Sequence, residues 1–307
     1  MEKVIVVIGP TSVGKTKMGV ALAKKFNGEV ISGDSMQIYK QMDIGTAKVT
    51  EEEKEGIIHH CVDILNPDET YSVHDFQQTV RKKITEITQR GHVPIIVGGT
   101  GLYIKAALYD YQFDEMENDH HAINEKYKDY TNEQLHDHLK SIDEESAKIL
   151  HFNNRRRVLR AIEIYETTGK RKSEMLEEQE HICLYDAYFV GLTLPRDVLY
   201  ERINKRVDVM MENGLKEEME RLYSQGLTRN HQSMKAIGYK EWFDYYDHQI
   251  DLNDVLELIK KHSRQYAKRQ YTWFKNQFDV NWYDVNLENF EQTIEQLTDD
   301  IEKIIKV

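Results

Sequence analysis

A glycine-rich segment near the start of the chain has the residue types and spacing of a phosphate-binding loop. Gly9-Pro10-Thr11-Ser12-Val13-Gly14-Lys15-Thr16 matches the pattern G-x-x-x-x-G-K-[ST]. In such a loop the glycines let backbone N–H groups turn inward around an anion, while the lysine adds a positive charge. We therefore expect residues 9–16 to bind a diphosphate, or a triphosphate such as ATP, and Thr16 to be a Mg²⁺ ligand. The loop alone does not separate a kinase, an ATPase and a prenyltransferase.

Polar residues also follow two other predicted strands. Asp34 comes just after strand 29–32, and Thr100 lies in the glycine-rich segment 98–103 after strand 93–97. Ligands of open α/β sheets bind beyond the carboxyl ends of the strands, so we expect Lys15, Asp34 and Thr100 to converge on one crevice. An aspartate beside phosphates suggests a Mg²⁺ ligand or a general base. The alternatives are a turn cap for Asp34 and a plain tight turn for the glycines.

The elements that position these residues form a βα alternation. Apolar runs at 4–8, 29–32, 61–64 and 93–97 read as strands, and helical patterns at 15–26 and 73–89 separate them. This predicts an α/β fold of the P-loop NTPase type, with a parallel sheet flanked by helices. A strand at 188–192, helices at 196–211, 216–225 and 251–278, a strand at 280–283 and a helix from 287 complete this core. Asp251 is predicted to cap its helix together with Asp254.

The middle of the chain has a different pattern. Helical spacing dominates residues 111–182, at 122–130, 132–141, 144–150 and 155–168, without a strand-like run. We therefore predict an all-helical insertion domain at 111–182, and a core made of 1–110 and 183–307. No internal repeat interrupts either part.

The charge distribution is uneven. The net charge of −12 argues against a nucleic-acid partner, yet residues 153–172 hold seven basic and two acidic residues, and 251–275 hold six and three. These clusters are either solvated helix faces or sites that bind phosphates.

The two cysteines, Cys61 and Cys183, and the lack of a signal peptide predict a cytoplasmic protein. No apolar run is long enough for a membrane helix.

A Walker B aspartate at the end of an apolar strand is hard to identify. Asp63 is predicted inside strand 61–64 and not at its end. This weakens the interpretation as an ATPase. His59-His60-Cys61 is predicted to be strand and turn, not a metal site, because its spacing does not suit zinc.

Nine segments match the motifs of one family closely. They are residues 9–16, 34–39, 42–48, 59–63, 98–103, 153–163, 202–207, 237–241 and 268–274. Through them the chain resembles the bacterial tRNA dimethylallyltransferases, or tRNA isopentenyltransferases. The resemblance implies transfer of a dimethylallyl group from dimethylallyl diphosphate to the exocyclic N6 amine of the adenosine 3′ to the anticodon. It also implies a tRNA anticodon stem-loop as partner and Mg²⁺ as cofactor. We expect the protein to be a monomer.

The resemblance also assigns roles to residues. It implies that Asp34 is the general base, that Thr100 orients the amine, and that Arg206 with Arg202 neutralises the leaving diphosphate. The implied tRNA contacts are Asp34, Ser35, Met36, Gln37, Arg156, Arg157, Val158, Leu159, Arg160, Lys268, Arg269, Gln270, Trp273 and Lys275. Where the family usually has a basic tRNA contact near the start of the insertion, this chain has Asn118-Asp119-His120-His121. The zinc finger of eukaryotic relatives is absent from the sequence.

Two other functions compete with this one. A nucleoside or small-molecule kinase also has a P-loop core and a helical insert, but it predicts an arginine-rich lid and has no need of the two basic clusters. An RNA-binding NTPase predicts a Walker B aspartate and nucleotide turnover.

Overall fold

The chain folds into two compact units. The computed structural model describes residues 1–111, 120–177 and 181–304. The first unit comprises Met1–Tyr109 and Cys183–Val307, and the second comprises Asp110–Ile182. The second unit thus interrupts the sequence of the first.

A six-stranded parallel sheet forms the centre of the first unit. Its strands are β1 (Lys3–Ile8), β2 (Gly28–Ser32), β3 (His59–His60), β4 (Val93–Val97), β5 (Asp186–Thr193) and β6 (Asn281–Asp284). The order is β3-β2-β4-β1-β5-β6, and all neighbours are parallel. β1 lies inside the sheet, so its carboxyl end, where the glycine-rich loop begins, has β4 on one side and β5 on the other.

The helices are numbered in chain order. They are α1 (Lys15–Lys25), α2 (Glu51–Lys54), α3 (Val73–Gln89), α4 (Gly101–Leu108), α5 (His120–Lys126), α6 (Asn132–Ile142), α7 (Glu144–Ile149), α8 (Arg155–Thr168), α9 (Lys172–Glu177), α10 (Arg196–Glu212), α11 (Leu215–Ser224), α12 (Trp242–Tyr246), α13 (Leu252–Gln277) and α14 (Phe290–Ile304). Helices α5 to α9 belong to the second unit and the others to the first.

Hydrophobic cores cover both faces of the sheet. Alternate residues of a strand point to opposite faces, so Val6 joins a core with Phe76 of α3, while Val7 joins another with Leu22 of α1 and Leu297 of α14. Both faces of β1 are therefore buried, which explains its continuous apolar run. The predicted α/β fold is confirmed.

The predicted third strand is wrong. The strand is His59–His60, two residues earlier than predicted, because Cys61 and Asp63 have φ angles of +61° and +56° that do not fit a strand. Asp63 therefore follows the strand end. Its carboxylate accepts a hydrogen bond from the ammonium of Lys48 at 2.6 Å, so it is engaged in holding a loop.

Several helix boundaries differ from the sequence prediction. The last helix begins at Phe290 and not at 287, and helices α2, α4, α9 and α12 were not predicted. The cap of α13 is confirmed: Asp251 accepts from the N–H of Asp254, whose carboxylate accepts from the N–H of Asp251. None of the described helices is long and apolar enough to cross a membrane.

The second unit has a hydrophobic core of its own. Leu135 and Leu139 of α6 pack with Val158 and Ile162 of α8. Its described residues contain helices and no strand. Asn118 and Asp119 stand where the family usually has a basic tRNA contact, and they lie outside the described residues.

Candidate functional site

The glycine-rich loop joins the end of β1 to the start of α1. Gly9, Ser12 and Gly14 have φ angles of +146°, +67° and +107°. A Cβ atom at position 9 would lie 2.6 Å from the carbonyl oxygen of Leu192, so only glycine fits there. The loop therefore has the tight curvature that is typical of a phosphate-binding loop at the N-terminus of a helix.

Lys15 is the charged residue of this loop. Its ammonium donates a hydrogen bond to the carbonyl oxygen of Pro10 at 2.7 Å. Burial, helped by the charge of Arg206 and opposed by Asp34, lowers the pKa of Lys15 to about 7. A bound anion would reverse this effect, because it would stabilise the protonated ammonium.

Asp34 lies just beyond the carboxyl end of β2. Its Oδ1 accepts a hydrogen bond from the backbone N–H of Met36 at 2.9 Å. Burial raises the pKa of Asp34, although this hydrogen bond and the charges of Lys15 and Arg206 oppose the rise. A carboxylate with a raised pKa is a better proton acceptor than an exposed one.

Thr100 ties the loop after β4 to the loop after β2. Its hydroxyl accepts from the backbone N–H of Ser35 at 3.1 Å, and its own N–H donates to the carbonyl of Gly33 at 3.2 Å. A Cβ atom at Gly98 would lie 2.3 Å from the backbone of Gly33. The structure thus brings Thr100 and the residues around Asp34 together, as the strand-end argument predicts.

Helix α10 directs two arginines to the glycine-rich loop. Arg202 Nε donates to the carbonyl of Ser12 at 3.0 Å, and Arg206 Nη1 lies 3.4 Å from Thr11 Oγ1. The two arginines are four positions apart, which places them on the same face of the helix. The two guanidinium groups thus lie near the loop that carries Lys15, and all three residues line one cavity.

Two cavities meet at this site. The first has a volume of about 540 Å³ and is lined by Lys15, Thr16 and Arg202 among others. The second, of about 440 Å³, has an apolar part that includes Met36 and Ile237. Both cavities are lined by Thr11, Ser12, Asp34, Thr46, Ala47 and Arg206. The carboxylate of Asp34, which is partly buried, thus lies in the wall between a cationic cavity and a more apolar one.

Oxygen ligands for a metal ion are present in the first cavity. The hydroxyl of Thr16 and the carboxylates of Asp34 and Glu53 line it. Such hard oxygen donors suit Mg²⁺, which usually keeps several waters and shares phosphate oxygens. Among the described residues there is no cluster of three or more metal-binding His, Cys, Asp or Glu side chains. These residues fit a Mg²⁺ ion that binds together with a phosphate.

Helix α13 supports the site with residues that the sequence assigned to tRNA. Gln270 is 5% exposed; its side chain accepts from the N–H of Thr11 and donates to the carbonyl of Gly99, both at 2.9 Å. The ring of Trp273 packs against Gly101, and a Cβ atom on Gly101 would lie only 2.2 Å from this ring. The amide of Gln270 is therefore used inside the protein. The other three predicted residues of α13, Lys268, Arg269 and Lys275, are exposed.

The predicted tRNA residues of α8 also include both surface and buried side chains. Arg156 and Arg157 are exposed, and Arg160 donates to the carboxylate of Glu163 at 2.8 Å. The side chains of Val158 and Leu159 belong to the core of the second unit. Only the basic members of this segment thus present side chains on the surface.

The sequence analysis missed one group of residues near the site. Residues 43–47 form a loop inside the matched segment 42–48, to which no role was assigned, and Thr46 and Ala47 of this loop line both cavities. Glu218 of α11 accepts hydrogen bonds from its backbone. An acidic residue on the buried face of an amphipathic helix is the signal that could have identified Glu218.

A parallel sheet, a glycine-rich loop entering a helix and cations around it define a class: an α/β protein with a P-loop-like fold. The family model for IPP transferases matches residues 37–277. The chain belongs to this family.

Individual relatives agree with this assignment. A tRNA dimethylallyltransferase of Bacillus cereus (strain AH187) is 55% identical over 287 residues, which cover 92% of this chain and 90% of that relative. The crystal structure of a tRNA delta(2)-isopentenylpyrophosphate transferase from Staphylococcus epidermidis is 47% identical, with a TM-score of 0.74 over 99% of both chains. A eukaryotic dimethylallyltransferase acting on tRNA gives 33% identity and a TM-score of 0.85 over 97% of this chain and 78% of that one. These findings support the transferase and not the kinase alternative.

Proposed function

We propose that this chain transfers the dimethylallyl group of dimethylallyl diphosphate to the N6 amine of the adenosine 3′ to the anticodon of a tRNA. The bond between the allylic carbon and the diphosphate oxygen breaks, a bond from that carbon to N6 forms, and one N6 proton moves to a base. The observation that carries the proposal is the position of Asp34 in the wall shared by the two cavities. A donor in one cavity and an acceptor in the other would meet at this carboxylate.

The first cavity supports binding of the donor. The diphosphate would be bound by the ammonium of Lys15, the guanidinium of Arg202 and the N–H groups of the glycine-rich loop other than that of Thr11, which donates to Gln270. Arg206 would neutralise the charge that grows on the leaving diphosphate. Mg²⁺ held by Thr16 would contribute further positive charge at the phosphate oxygens.

Asp34 and Thr100 would act on the acceptor. An adenine amine is a poor nucleophile, because its lone pair is delocalised into the ring. Asp34 therefore need not ionise the amine; it accepts the proton as the new bond forms. Burial raises the pKa of Asp34, which favours this transfer. The hydroxyl of Thr100 would orient the amine.

Binding of tRNA would use exposed cations and the segment after β2. An adenosine inside an anticodon loop must leave the stack to reach Asp34, and Ser35, Met36 and Gln37 lie beside that position. The exposed Arg156 and Arg157, and the exposed cations of α13, would bind backbone phosphates. A monomeric state, a cytoplasmic location and ATP binding by the phosphate loop stay predictions from the sequence.

The test is a transfer assay with an unmodified anticodon stem-loop and dimethylallyl diphosphate. We expect the RNA to gain the mass of one dimethylallyl group and diphosphate to be released in equal amount. Asp34→Asn should abolish transfer and still bind inorganic pyrophosphate. Transfer at the wild-type rate by Asp34→Asn would contradict its role as base. RNA-stimulated ATP hydrolysis without transfer would favour the NTPase alternative.

A further inference from the structure

A buried carboxylate on α11 binds the backbone of the 43–47 loop. Glu218 is 2% exposed. Its Oε2 accepts hydrogen bonds from the N–H groups of Asp43 and Ile44, each at 2.9 Å, and its Oε1 accepts from the N–H of Gly45 at 3.1 Å. The hydroxyl of Tyr239 donates to the same Oε1 at 2.6 Å. Four donors from two other segments thus meet on one carboxylate.

This arrangement fixes the conformation of the loop. Three successive backbone N–H groups share this one carboxylate as their acceptor, and without it they would lose that partner. A buried carboxylate is costly unless hydrogen bonds compensate its desolvation, and Glu218 has four. The carboxylate and the loop conformation therefore depend on each other.

Tyr239 holds the loop from the side. It is fully buried, and a Cβ atom on Gly45 would lie 2.5 Å from its ring. Gly238 has a φ angle of +99°, and a Cβ atom there would lie 3.2 Å from the carbonyl oxygen of Gly45. The loop is thus packed closely against residues 238 and 239 and has little room to move.

The end of this loop contacts two residues that line the first cavity together with Asp34. The carbonyl oxygen of Ala47 lies 3.5 Å from Nη2 of Arg206. The side-chain amide of Gln37 donates to the carbonyls of Thr46 and Ala47 at 3.3 and 3.4 Å. The carbonyls of the loop therefore orient the guanidinium of Arg206 and the amide of Gln37.

We infer that Glu218 is a positioning residue for group transfer: through the 43–47 loop it holds Arg206 in the wall between the two cavities and Gln37 in the wall of the first. This inference rests on the proposed function, because it assigns Arg206 to the leaving diphosphate. Glu218 itself lines neither cavity. Its effect must therefore appear in the rate of transfer more than in binding of the donor.

The test is Glu218→Gln, assayed with dimethylallyl diphosphate and the stem-loop. A glutamine keeps the shape but has one acceptor oxygen, and its NH₂ faces donors. We expect kcat to fall by about 10- to 100-fold, since small misplacements of catalytic groups have effects of that order. The affinity for inorganic pyrophosphate should fall less than kcat, because the hydrogen bonds that Glu218 accepts come from residues 43–45 and Tyr239 and not from the glycine-rich loop.

Glu29→Gln is the matched control. Glu29 is also 2% exposed in the first unit, but it binds Arg90 through its carboxylate and lines neither cavity. We expect its melting temperature to fall and its kcat to stay at the wild-type value. A Glu218→Gln protein that is less stable yet has wild-type kcat would overturn the inference.

Tyr239→Phe is a milder second variant, in case Glu218→Gln does not fold. It keeps the ring against Gly45 and removes one of the four donors to Glu218. We expect a smaller fall in kcat with nearly wild-type stability, and an unchanged kcat would overturn the inference. If the wild-type protein transfers nothing to the stem-loop, the proposed function is wrong. The results with the variants test only the role of Glu218.

Discussion

The side chain of Gln270 accepts a hydrogen bond from the backbone N–H of Thr11 at 2.9 Å and so joins helix α13 to the glycine-rich loop. The amide nitrogen of the same side chain donates to the carbonyl of Gly99. The loop at the start of the chain and the loop after β4 are thus held together by a residue close to the end of the chain. The N–H of Thr11 is satisfied by the protein.

We predict that Gln270→Ala weakens binding of pyrophosphate and lowers stability. It would leave the N–H of Thr11 without its partner, which costs about 1–3 kcal/mol for a buried group, whereas the carbonyl of Gly99 would keep the hydroxyl of Tyr266 as a donor. Calorimetric titration and thermal unfolding would measure both effects. Gln265→Ala, at an exposed position of the same helix, should change stability by less than about 0.5 kcal/mol. Normal pyrophosphate binding with weak tRNA binding would instead support the tRNA contact inferred from the sequence.

We predict that binding of pyrophosphate weakens as pH rises through 7. The pKa of Lys15 in the free protein is about 7, so above this pH the ammonium loses its proton, and binding an anion requires that a proton be taken up. Lys15→Arg should show a flatter dependence, because an arginine stays charged. The ratio of the two dissociation constants across pH cancels the titration of pyrophosphate itself. A ratio that does not change with pH would contradict the prediction.

We predict that Gly98→Ala destabilises the protein severely. The new Cβ atom would lie 2.3 Å from the backbone of Gly33, which cannot rotate away as a side chain can. Overpacking of this kind costs about 1–3 kcal/mol and sometimes more, and it would also separate Thr100 from Ser35. Thermal unfolding and the transfer assay would measure it.

Gly226→Ala is the control for this substitution. Nothing lies within 4 Å of its Cβ position, and its φ angle of +87° makes an alanine strained. We expect a moderate loss of stability, about 1–2 kcal/mol, with normal transfer. Equal activity in both variants would show that the contact between Gly98 and Gly33 does not support the site.

We predict that Arg157→Ala in α8 weakens binding of the stem-loop, whereas Leu159→Ala in the same helix lowers stability. Arg157 is exposed, so its loss should raise the KM for the stem-loop, reduce the salt dependence of binding by about one unit of slope and leave stability unchanged. Leu159 is buried, and its truncation should cost about 2–5 kcal/mol of stability. Unchanged tRNA binding by Arg157→Ala at low salt would argue against this helix as a tRNA contact.

Local sequence patterns were enough to identify the first strand of the sheet and the glycine-rich loop that follows it. The apolar run of β1 and the glycine-rich loop could be identified because a buried strand and a phosphate loop each have a short pattern that neighbouring residues satisfy by themselves. The same is true of the capping box of Asp251 and Asp254. The sequence therefore predicted the parallel sheet, the loop and the convergence of Lys15, Asp34 and Thr100.

Only the tertiary structure decided which distant residues hold this site in place. Gln270 contacts Thr11, and Glu218 contacts the 43–47 loop, across 259 and more than 170 positions of the chain. Such contacts depend on how helices pack on the sheet, and packing is not encoded in a local pattern. Packing also distinguishes Arg157 from Leu159, although both belong to the same sequence motif. Arg157 faces solvent, whereas Leu159 is part of the core of the second unit.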